Sequence, residues 1–224
     1  MYSAVPYNPE TVSFLLAASY VIGGVPFGLA LGKLLRGVDL RECGSGNIGA
    51  SNAWRVLGWK VGLPVFVLDM AKGLGPVFAA RELFERYPWA VVGAGLFAIL
   101  GHNASVFLRF RGGKGVATTM GVALGLSWKA AAAGFCVWAV LLSTTRFISV
   151  SSLAGTPVGA YLIWYWNGRS LPYALFGLLA TIFVVAKHIP NMRRLAAGKE
   201  PRIDLPRLGD LLGAIRRPNP KAGT

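Results

Sequence analysis

Acidic residues, histidines and cysteines are scarce in this 224-residue chain, and their scarcity excludes several kinds of site. Nine Asp and Glu stand against 23 Lys and Arg, and only two residues are histidines. None of these residues forms a cluster with the spacing of metal ligands, so we expect no metal and no cofactor. Two cysteines, Cys43 and Cys136, cannot define a disulfide framework.

Charged residues are also few, at 14% of the chain, whereas hydrophobic residues make up 54%. This balance is typical of an integral membrane protein. The N-terminus lacks the basic region and cleavage site of a signal peptide, so the first apolar stretch is predicted to be a retained helix. A bilayer requires about 20 apolar residues per span. Seven apolar stretches are found, at 11–35, 56–80, 88–108, 115–128, 130–145, 147–166 and 170–187.

Positive charge is distributed unevenly between the two sides that these stretches define. If the N-terminus is outside, the outward loops hold only Arg81, Arg86, Lys129 and Arg169. The positive-inside rule therefore predicts an all-α integral membrane protein with seven transmembrane helices, the N-terminus outside and the C-terminus cytoplasmic. This topology explains the net charge of +14, so no nucleic-acid partner is expected.

The fourth apolar stretch is short, which leaves an alternative topology open. Merging 116–145 into one helix gives six spans and places residues 112–115 and the basic C-terminal segment on opposite faces. Seven spans place both on the cytoplasmic face, where one site can be assembled from them, and we favour that solution. The predicted division is a membrane domain at 1–187 and a basic cytoplasmic segment at 188–224, whose start contributes to the site.

Two glycine-rich turns lie directly beside apolar stretches. The first, the 44–49 turn, reads Gly-Ser-Gly-Asn-Ile-Gly, and the second, the 112–115 turn, reads Gly-Gly-Lys-Gly. Glycines let backbone N–H groups crowd around an oxyanion, and a lysine adds a point charge, so a phosphorylated ligand is predicted. A helix cap at the membrane surface is the alternative for the 44–49 turn. The second turn is not a Walker A loop, because Gly115 follows the lysine where that loop requires serine or threonine.

Other polar residues are less specific when each is taken alone. His102 ends an apolar stretch, where an ordinary interfacial histidine would also fit. Asp69 and Lys72 are three residues apart in the second stretch and are expected to pair with each other or with polar groups nearby. A further polar group follows the last span, where the ordinary basic cluster on the cytoplasmic side of a membrane helix would also account for it. Its members are His188, Asn191, Arg193, Arg194 and Glu200.

Together these regions resemble, over nearly the whole chain, the bacterial acyl-phosphate-dependent glycerol-3-phosphate acyltransferases, the PlsY family. The matching positions are 44–52 with Arg55, Leu57 and Gly58; Asp69, Lys72 and Gly73; Gly101, His102 and 107–118; and His188, Asn191, Arg194, Leu195, Gly198 and Glu200. Three positions depart from the family pattern. They are Ser51 in place of threonine, Ala104 in place of an aromatic residue and Ile189 in place of arginine.

The resemblance implies the reaction and its setting. A fatty acyl group would pass from acyl phosphate to the 1-hydroxyl of sn-glycerol 3-phosphate, giving lysophosphatidate and phosphate. This is the first acylation step of bacterial phospholipid synthesis. The expected location is the bacterial plasma membrane, with the active site on the cytoplasmic face. The expected partners are the two substrates and the lipid bilayer, with no obligatory protein partner.

The residues expected to act fall into two groups. The catalytic group is Ser45, Arg55 and Lys114. The substrate-binding group is Gly46, Asn47, Asn52, His102, Gly112, Gly113, Gly115, His188, Asn191, Arg194 and Glu200. The residues five positions after the two histidines are Phe107 and Arg193, so neither histidine begins a His-x4-Asp motif. We therefore expect catalysis by positioning and charge, with a substrate phosphate accepting the hydroxyl proton.

Two rival functions are considered beside the acyltransferase. An organic-phosphate transporter or permease would place its site near the midplane between internal repeats. No such repeat is evident, and the polar motifs all fall on one predicted face, which favours an interfacial enzyme. The other rival, a lipid-binding scaffold without catalysis, would show no turnover.

Overall fold

The computed structural model describes residues 8–204, and within that part of the chain the fold is helical with no strand. A three-residue 3-10 turn, Val106–Leu108, lies shortly before the 112–115 turn. The all-α prediction is confirmed for these residues. The helices are α1 (Pro9–Gly24), α2 (Phe27–Arg36), α3 (Ala50–Leu57), α4 (Trp59–Phe84), α5 (Pro88–Asn103), α6 (Val116–Leu126), α7 (Trp128–Thr145), α8 (Ile148–Trp166) and α9 (Leu171–Ala196).

Five helical segments of the described chain are long and apolar enough to cross a membrane. They are Pro9–Arg36, Trp59–Phe84, Pro88–Leu108, Trp128–Thr145 and Leu171–Ala196. Helix α6 has only 11 residues, or about 16 Å at 1.5 Å per residue. Helix α8 has 19 residues, but three serines, a threonine and a proline lower its hydropathy. Seven spans therefore stay a prediction, as does the orientation.

The first predicted span is two helices. Helix α1 ends at Gly24 and α2 begins at Phe27, with Val25 and Pro26 between them. Proline has no N–H to donate, and it disfavours the helical conformation of the residue before it. The break gives α2 its own direction. Helix α2 ends at Arg36 and is followed by Gly37, whose φ of 67° is left-handed.

Two other boundaries differ from the predicted ones. The second predicted span began at 56, but α3 ends at Leu57 and α4 begins at Trp59, because Gly58 turns the chain at φ 83°. The last helix runs past 187 to Ala196, so the predicted boundary between 187 and 188 falls inside α9. The stretch predicted to form either one helix or two, 116–145, is divided into α6 and α7 at Ser127. Residues 205–224 of the predicted C-terminal segment lie outside the described chain.

Glycines allow α4 and α6 to pack with their backbones in contact. A Cβ atom on Gly121 would lie 1.8 Å from the Met70 carbonyl oxygen, and one on Gly73 would lie 2.1 Å from that of Thr118. Helices in membranes associate through such small residues. At the far end of α6, Arg81 of α4 donates a 2.8 Å hydrogen bond to the Gly125 carbonyl. The glycine contacts thus fix the first half of α6, and with it the 112–115 turn, whereas the Arg81 bond holds only the opposite end of α6.

We expect Gly121→Ala to destabilise the fold by roughly 1–3 kcal/mol, because the added methyl group forces α4 and α6 apart. The measurement is the thermal unfolding midpoint in detergent. Gly159→Ala is the matched control, since a Cβ there meets its nearest atom at an ordinary 3.6 Å. That variant should keep or slightly raise the midpoint, because alanine favours helix. Equal midpoints for the two variants would contradict the packing argument.

Candidate active site

The three predicted motif regions converge on one polar cavity of about 530 Å³. Three predicted glycines, Gly46, Gly112 and Gly113, do not line it; they shape the turns instead. The cavity also has walls from α4, α6, α7 and α8. The predicted site residues that line it are Ser45, Asn47, Asn52, Arg55, His102, Lys114, Gly115, His188, Asn191, Arg194 and Glu200.

Asn52 organises the 44–49 turn from the first turn of α3. Its Oδ1 accepts hydrogen bonds from the Ser45 backbone N–H at 2.8 Å and from Ser45 Oγ at 3.1 Å. Its Nδ2 donates to the Leu40 and Cys43 carbonyls, each at 3.0 Å. Gly44 is left-handed at φ 59°, and a Cβ there would lie 2.5 Å from Asn52 Oδ1. Asn52 therefore fixes the position of Ser45 on the cavity wall.

Arg55 extends from the last turn of α3 into the same cavity. Its Nε is buried and has no hydrogen-bond partner among residues 8–204. Burial lowers the pKa of Arg55 from its ordinary value, Glu200 opposes that shift, and Arg194 adds to it. Arginine remains charged at such a site because its ordinary pKa is so high. The guanidinium is thus a free donor of the kind that binds phosphate.

The 112–115 turn lies directly on the last turn of α5. Gly113 N–H donates to the His102 carbonyl at 3.0 Å. A Cβ on Gly112 would lie 2.0 Å from the His102 carbonyl oxygen, and one on Gly113 would lie 2.2 Å from His102 Nε2. Gly115, at φ 78°, precedes α6, and no side chain within residues 8–204 caps this helix, so its first N–H groups are available to an anion. These contacts explain why the turn is built from glycine.

Lys114 crosses the cavity from this turn to α9. Its Nζ donates to Asn191 Oδ1 at 2.6 Å. Burial lowers the pKa of Lys114 to about 8; Glu200 opposes the shift, whereas Arg194 and Arg55 add to it. The ammonium group is therefore charged at neutral pH but close to its titration.

His188 is held by its own helix. Its Nδ1 lies 2.8 Å from the Val184 carbonyl oxygen. Because a carbonyl only accepts, Nδ1 carries the proton, and in the neutral ring Nε2 is left as an acceptor. That atom suits a ligand hydroxyl group.

Glu200 closes the cavity after the left-handed Gly198 ends α9. Its carboxylate accepts from Asn191 Nδ2 at 2.6 Å, Arg194 Nε at 2.8 Å and Ser149 Oγ at 2.8 Å. Burial raises the pKa of Glu200, but these hydrogen bonds outweigh it and hold the pKa below its usual value. Beyond it, Ile203 is buried and donates its N–H to the Arg146 carbonyl at 2.9 Å. The segment 199–204 thus lies across the cavity.

Some site residues were not predicted. Ser149 and Ser152 of α8 line the cavity, and Trp138 Nε1 donates to Ser152 Oγ at 3.3 Å. Their signal was the group of serines at the start of a stretch that otherwise appeared to be a simple span. Asp69 also reaches the cavity, paired as predicted with Lys72 at 2.8 Å.

A second, apolar cavity adjoins the polar one. Both are lined by Phe66, Val116 and Trp138. The remaining walls of the apolar cavity come from α6, α7, α8 and α9, and they include Phe135, which is 41% exposed on the outer surface of the bundle. Val116 is the first residue of α6, so the apolar cavity begins where the 112–115 turn ends. The arrangement can hold an anionic group and a hydrocarbon chain side by side.

Comparisons with known proteins identify the family. The family model for glycerol-3-phosphate acyltransferase matches residues 13–198. A glycerol-3-phosphate acyltransferase from Synechococcus sp. (strain JA-3-3Ab) is 43% identical over 197 residues, which cover 87% of this chain and 96% of the relative. One from Anaeromyxobacter sp. (strain Fw109-5) is 44% identical over 192 residues, covering 84% and 95%.

Two solved structures have the same fold. The crystal structure of PlsY (YgiH), an integral membrane glycerol 3-phosphate acyltransferase, in its glycerol 3-phosphate form aligns with a TM-score of 0.82 at 34% identity, covering 92% of this chain and all of that one. Its lysophosphatidic acid form aligns with a TM-score of 0.80 at 35% identity, covering 87% and 96%. The chain is therefore a multi-pass integral membrane protein that belongs to the glycerol-3-phosphate acyltransferase family, the PlsY family.

Proposed function

We propose that this glycerol-3-phosphate acyltransferase takes its acyl group from an acyl phosphate and transfers it to the 1-hydroxyl of sn-glycerol 3-phosphate. The products are lysophosphatidate and inorganic phosphate. The observation that carries the proposal is the junction of the cationic cavity with the apolar one at Phe66, Val116 and Trp138. An acyl phosphate joins an anionic phosphate directly to a hydrocarbon chain, so it needs a cationic site and an apolar site next to each other. The junction of the two cavities provides both.

The acyl phosphate lies along α6 in this proposal. Its phosphate binds the N-terminus of α6 and the 112–115 turn, where free N–H groups and the helix dipole favour an anion. Lys114 and Arg55 add positive charge. Its hydrocarbon chain follows Val116 into the apolar cavity, where burial contributes about 0.8 kcal/mol per methylene group.

Glycerol 3-phosphate occupies the side of the cavity formed by α9. Arg194 and Asn191 bind its phosphate, and His188 Nε2 accepts a hydrogen bond from a glycerol hydroxyl. Ser45, fixed by Asn52, donates to the reacting acyl group. A neighbour in the family was crystallised in a glycerol 3-phosphate form, which supports a site for this substrate in the shared fold.

The chemistry follows from the reactivity of the mixed anhydride. The 1-hydroxyl oxygen attacks the acyl carbon, the bond from that carbon to the phosphate oxygen breaks, and the hydroxyl proton passes to a substrate phosphate. The cations stabilise the charge that develops, and the turns align the reactants.

His102 lies near Asp69, but their closest atoms, Nδ1 and Oδ1, are 3.9 Å apart and make no hydrogen bond.

The proposal includes the topology. Seven spans, with α6 and α8 added to the five long segments, put the N-terminus outside and the cavity on the cytoplasmic face of a bacterial plasma membrane. The 2.6 Å bond between Lys114 and Asn191 supports this count, because it requires the 112–115 turn and the end of α9 to lie on one side. In the proposed division, 1–187 forms the membrane domain, and the start of 188–224 completes the site.

Purified protein supplied with palmitoyl phosphate and labelled glycerol 3-phosphate should form lysophosphatidate. Palmitoyl-CoA supplied alone should give no product, because its acyl carbon carries a thioester sulfur in place of the phosphate that the 112–115 turn binds in this proposal. The measurement is labelled lysophosphatidate formed with each donor in a separate reaction. Turnover with the thioester alone would contradict the proposed donor, and uptake into vesicles without product would favour a transporter.

His188→Gln tests the proton acceptor in the same assay. A glutamine keeps a polar contact but cannot act as a base near neutral pH. If a substrate phosphate takes the proton, the variant should chiefly raise KM for glycerol 3-phosphate and keep measurable kcat. A kcat loss of roughly 10²–10⁴-fold at saturating substrate, in folded protein, would instead identify His188 as the base.

Cysteine labelling tests the topology. Single cysteines are placed at four exposed positions after Cys43 and Cys136 are replaced by alanine. In oriented vesicles, a membrane-impermeant maleimide should reach the first three from the cytoplasmic side and the last from the outside. The positions are Glu42, Arg111, Ala197 and Arg169. Labelling of Arg111 and Ala197 positions from opposite faces would contradict seven spans.

The lowered pKa of Lys114 predicts a basic limb in the pH profile. The free lysine is charged below its pKa of about 8 and loses its charge as pH rises through that value. Since kcat/KM reports the free enzyme, kcat/KM for the acyl phosphate should fall above about pH 8. Lys114→Arg is the control, because arginine stays charged, and its limb should move beyond pH 10. The same limb in both proteins would exclude Lys114 as its source.

A further inference from the structure

We propose that the buried Asp69–Lys72 pair is a positioning element that couples the two anion-binding turns, at 44–49 and at 112–115, and this rests on the proposed function. The pair lies in α4, between the two turns, and both side chains are almost fully buried, at 3% and 2% exposure. Neither residue is needed by the chemistry described above. We infer the role of the pair from the residues that Asp69 and Lys72 contact.

Lys72 holds the break in the first span. Its Nζ lies 2.8 Å from Asp69 Oδ1, donates to the Val25 carbonyl at 2.8 Å, and lies 5.7 Å from the centre of the Phe27 ring. Val25 directly follows α1, and Phe27 begins α2. One ammonium group therefore contacts both sides of the break and fixes the angle at which α2 leaves it.

That angle determines where the 44–49 turn lies. A Cβ on Gly28 of α2 would lie 1.9 Å from the Ile48 carbonyl oxygen, so α2 and the turn are in backbone contact. On the next turn of α2, a Cβ on Gly32 would lie 3.0 Å from the Val38 carbonyl oxygen. Such contacts leave no room for the helix to shift without moving the turn.

Asp69 faces the other turn through His102. Its Oδ1 lies 3.9 Å from His102 Nδ1, and both residues line the polar cavity. The His102 ring lies against Gly113, and its carbonyl accepts the Gly113 N–H at 3.0 Å. The Asp69 carboxylate therefore packs beside the imidazole ring that lies against Gly113 of the 112–115 turn.

Two further hydrogen bonds join the same elements. Ser105 Oγ donates to the Gly24 carbonyl at 2.6 Å, and Tyr20 donates its hydroxyl to the Ala104 carbonyl at 2.6 Å. The end of α1 is thus tied to the chain just after His102. The ion pair completes this connection from α4, so the break in the first span and the base of the 112–115 turn move as one body.

The energetics of a buried pair favour positioning over stability as its role. Two charges removed from water lose hydration that their attraction only partly restores, and apolar replacements are often no less stable. Removing one partner is costly, because the other charge is left alone. A neutral double variant separates the two effects, since it leaves no lone charge.

The test compares Asp69→Asn/Lys72→Met with wild type. The double variant should unfold within a few degrees of wild type but show kcat/KM about 10²-fold lower, which is the cost of misplacing reacting groups by roughly 1 Å. Arg81→Met is the matched control: Arg81 is also in α4 and donates to a carbonyl of another helix, at 2.8 Å, but far from the cavity. It should lower the unfolding midpoint and leave kcat/KM unchanged. Wild-type kcat/KM in the double variant would overturn the proposal.

A second variant covers the case in which the double variant does not fold. Lys72→Arg keeps the ion pair's charge but moves its donors away from the Val25 carbonyl, so it should fold and lose about tenfold in kcat/KM. Wild-type kcat/KM in that variant would also overturn the proposal. Calorimetric binding of glycerol 3-phosphate to wild type and to each folded variant separates this inference from the proposed function. If the variants bind more weakly than wild type, the pair's role is supported even when wild type shows no turnover. If the variants bind as wild type does and none of the proteins turns over, both the inference and the proposed function are contradicted.

Discussion

Repulsion among three cations in one poorly hydrated cavity is the constraint on which the rest of the site depends. Arg55, Lys114 and Arg194 all line it, and burial lowers the pKa of Arg55 and Lys114, to which the neighbouring positive charges add. Such repulsion grows as water is excluded. Glu200 offsets it by accepting from Arg194 and by raising the pKa of the other two. In the proposed function, an anionic substrate removes the remaining repulsion, so the site favours its occupied state.

The fold satisfies this constraint by keeping the three cations at helix ends. Arg55 lies in the last turn of α3, Arg194 in the last turn of α9, and Lys114 just before α6. Charges at these places meet water or a counterion, whereas charges in the middle of a span require a buried partner. Lys72 is such a mid-span charge, and it has Asp69. The glycine contacts then bring the helix ends close enough to form one cavity.

Local patterns were predictable from the sequence, and contacts between distant segments were not. Apolar stretches located the helices, and the i,i+3 spacing predicted the Asp69–Lys72 pair. Glycine turns beside cations predicted an anion site, and anion binding there stays a prediction. The helix breaks at Pro26 and Gly58 were not predicted, because both residues lie within long apolar stretches whose hydropathy is typical of one continuous span. The contact of Ser149 with Glu200 spans 51 positions and that of Lys72 with Val25 spans 47, so only packing could place them together.

The apolar cavity affects how the enzyme meets its donor. Because its wall includes the exposed Phe135, the cavity reaches the outer surface of the helical bundle, where hydrocarbon surrounds the protein. An acyl donor that uses this cavity is delivered sideways from the leaflet. Saturation is then governed by the donor's mole fraction among the lipids, a two-dimensional concentration. Dilution with inert detergent or lipid would slow the enzyme even when the amount of donor in the tube is unchanged.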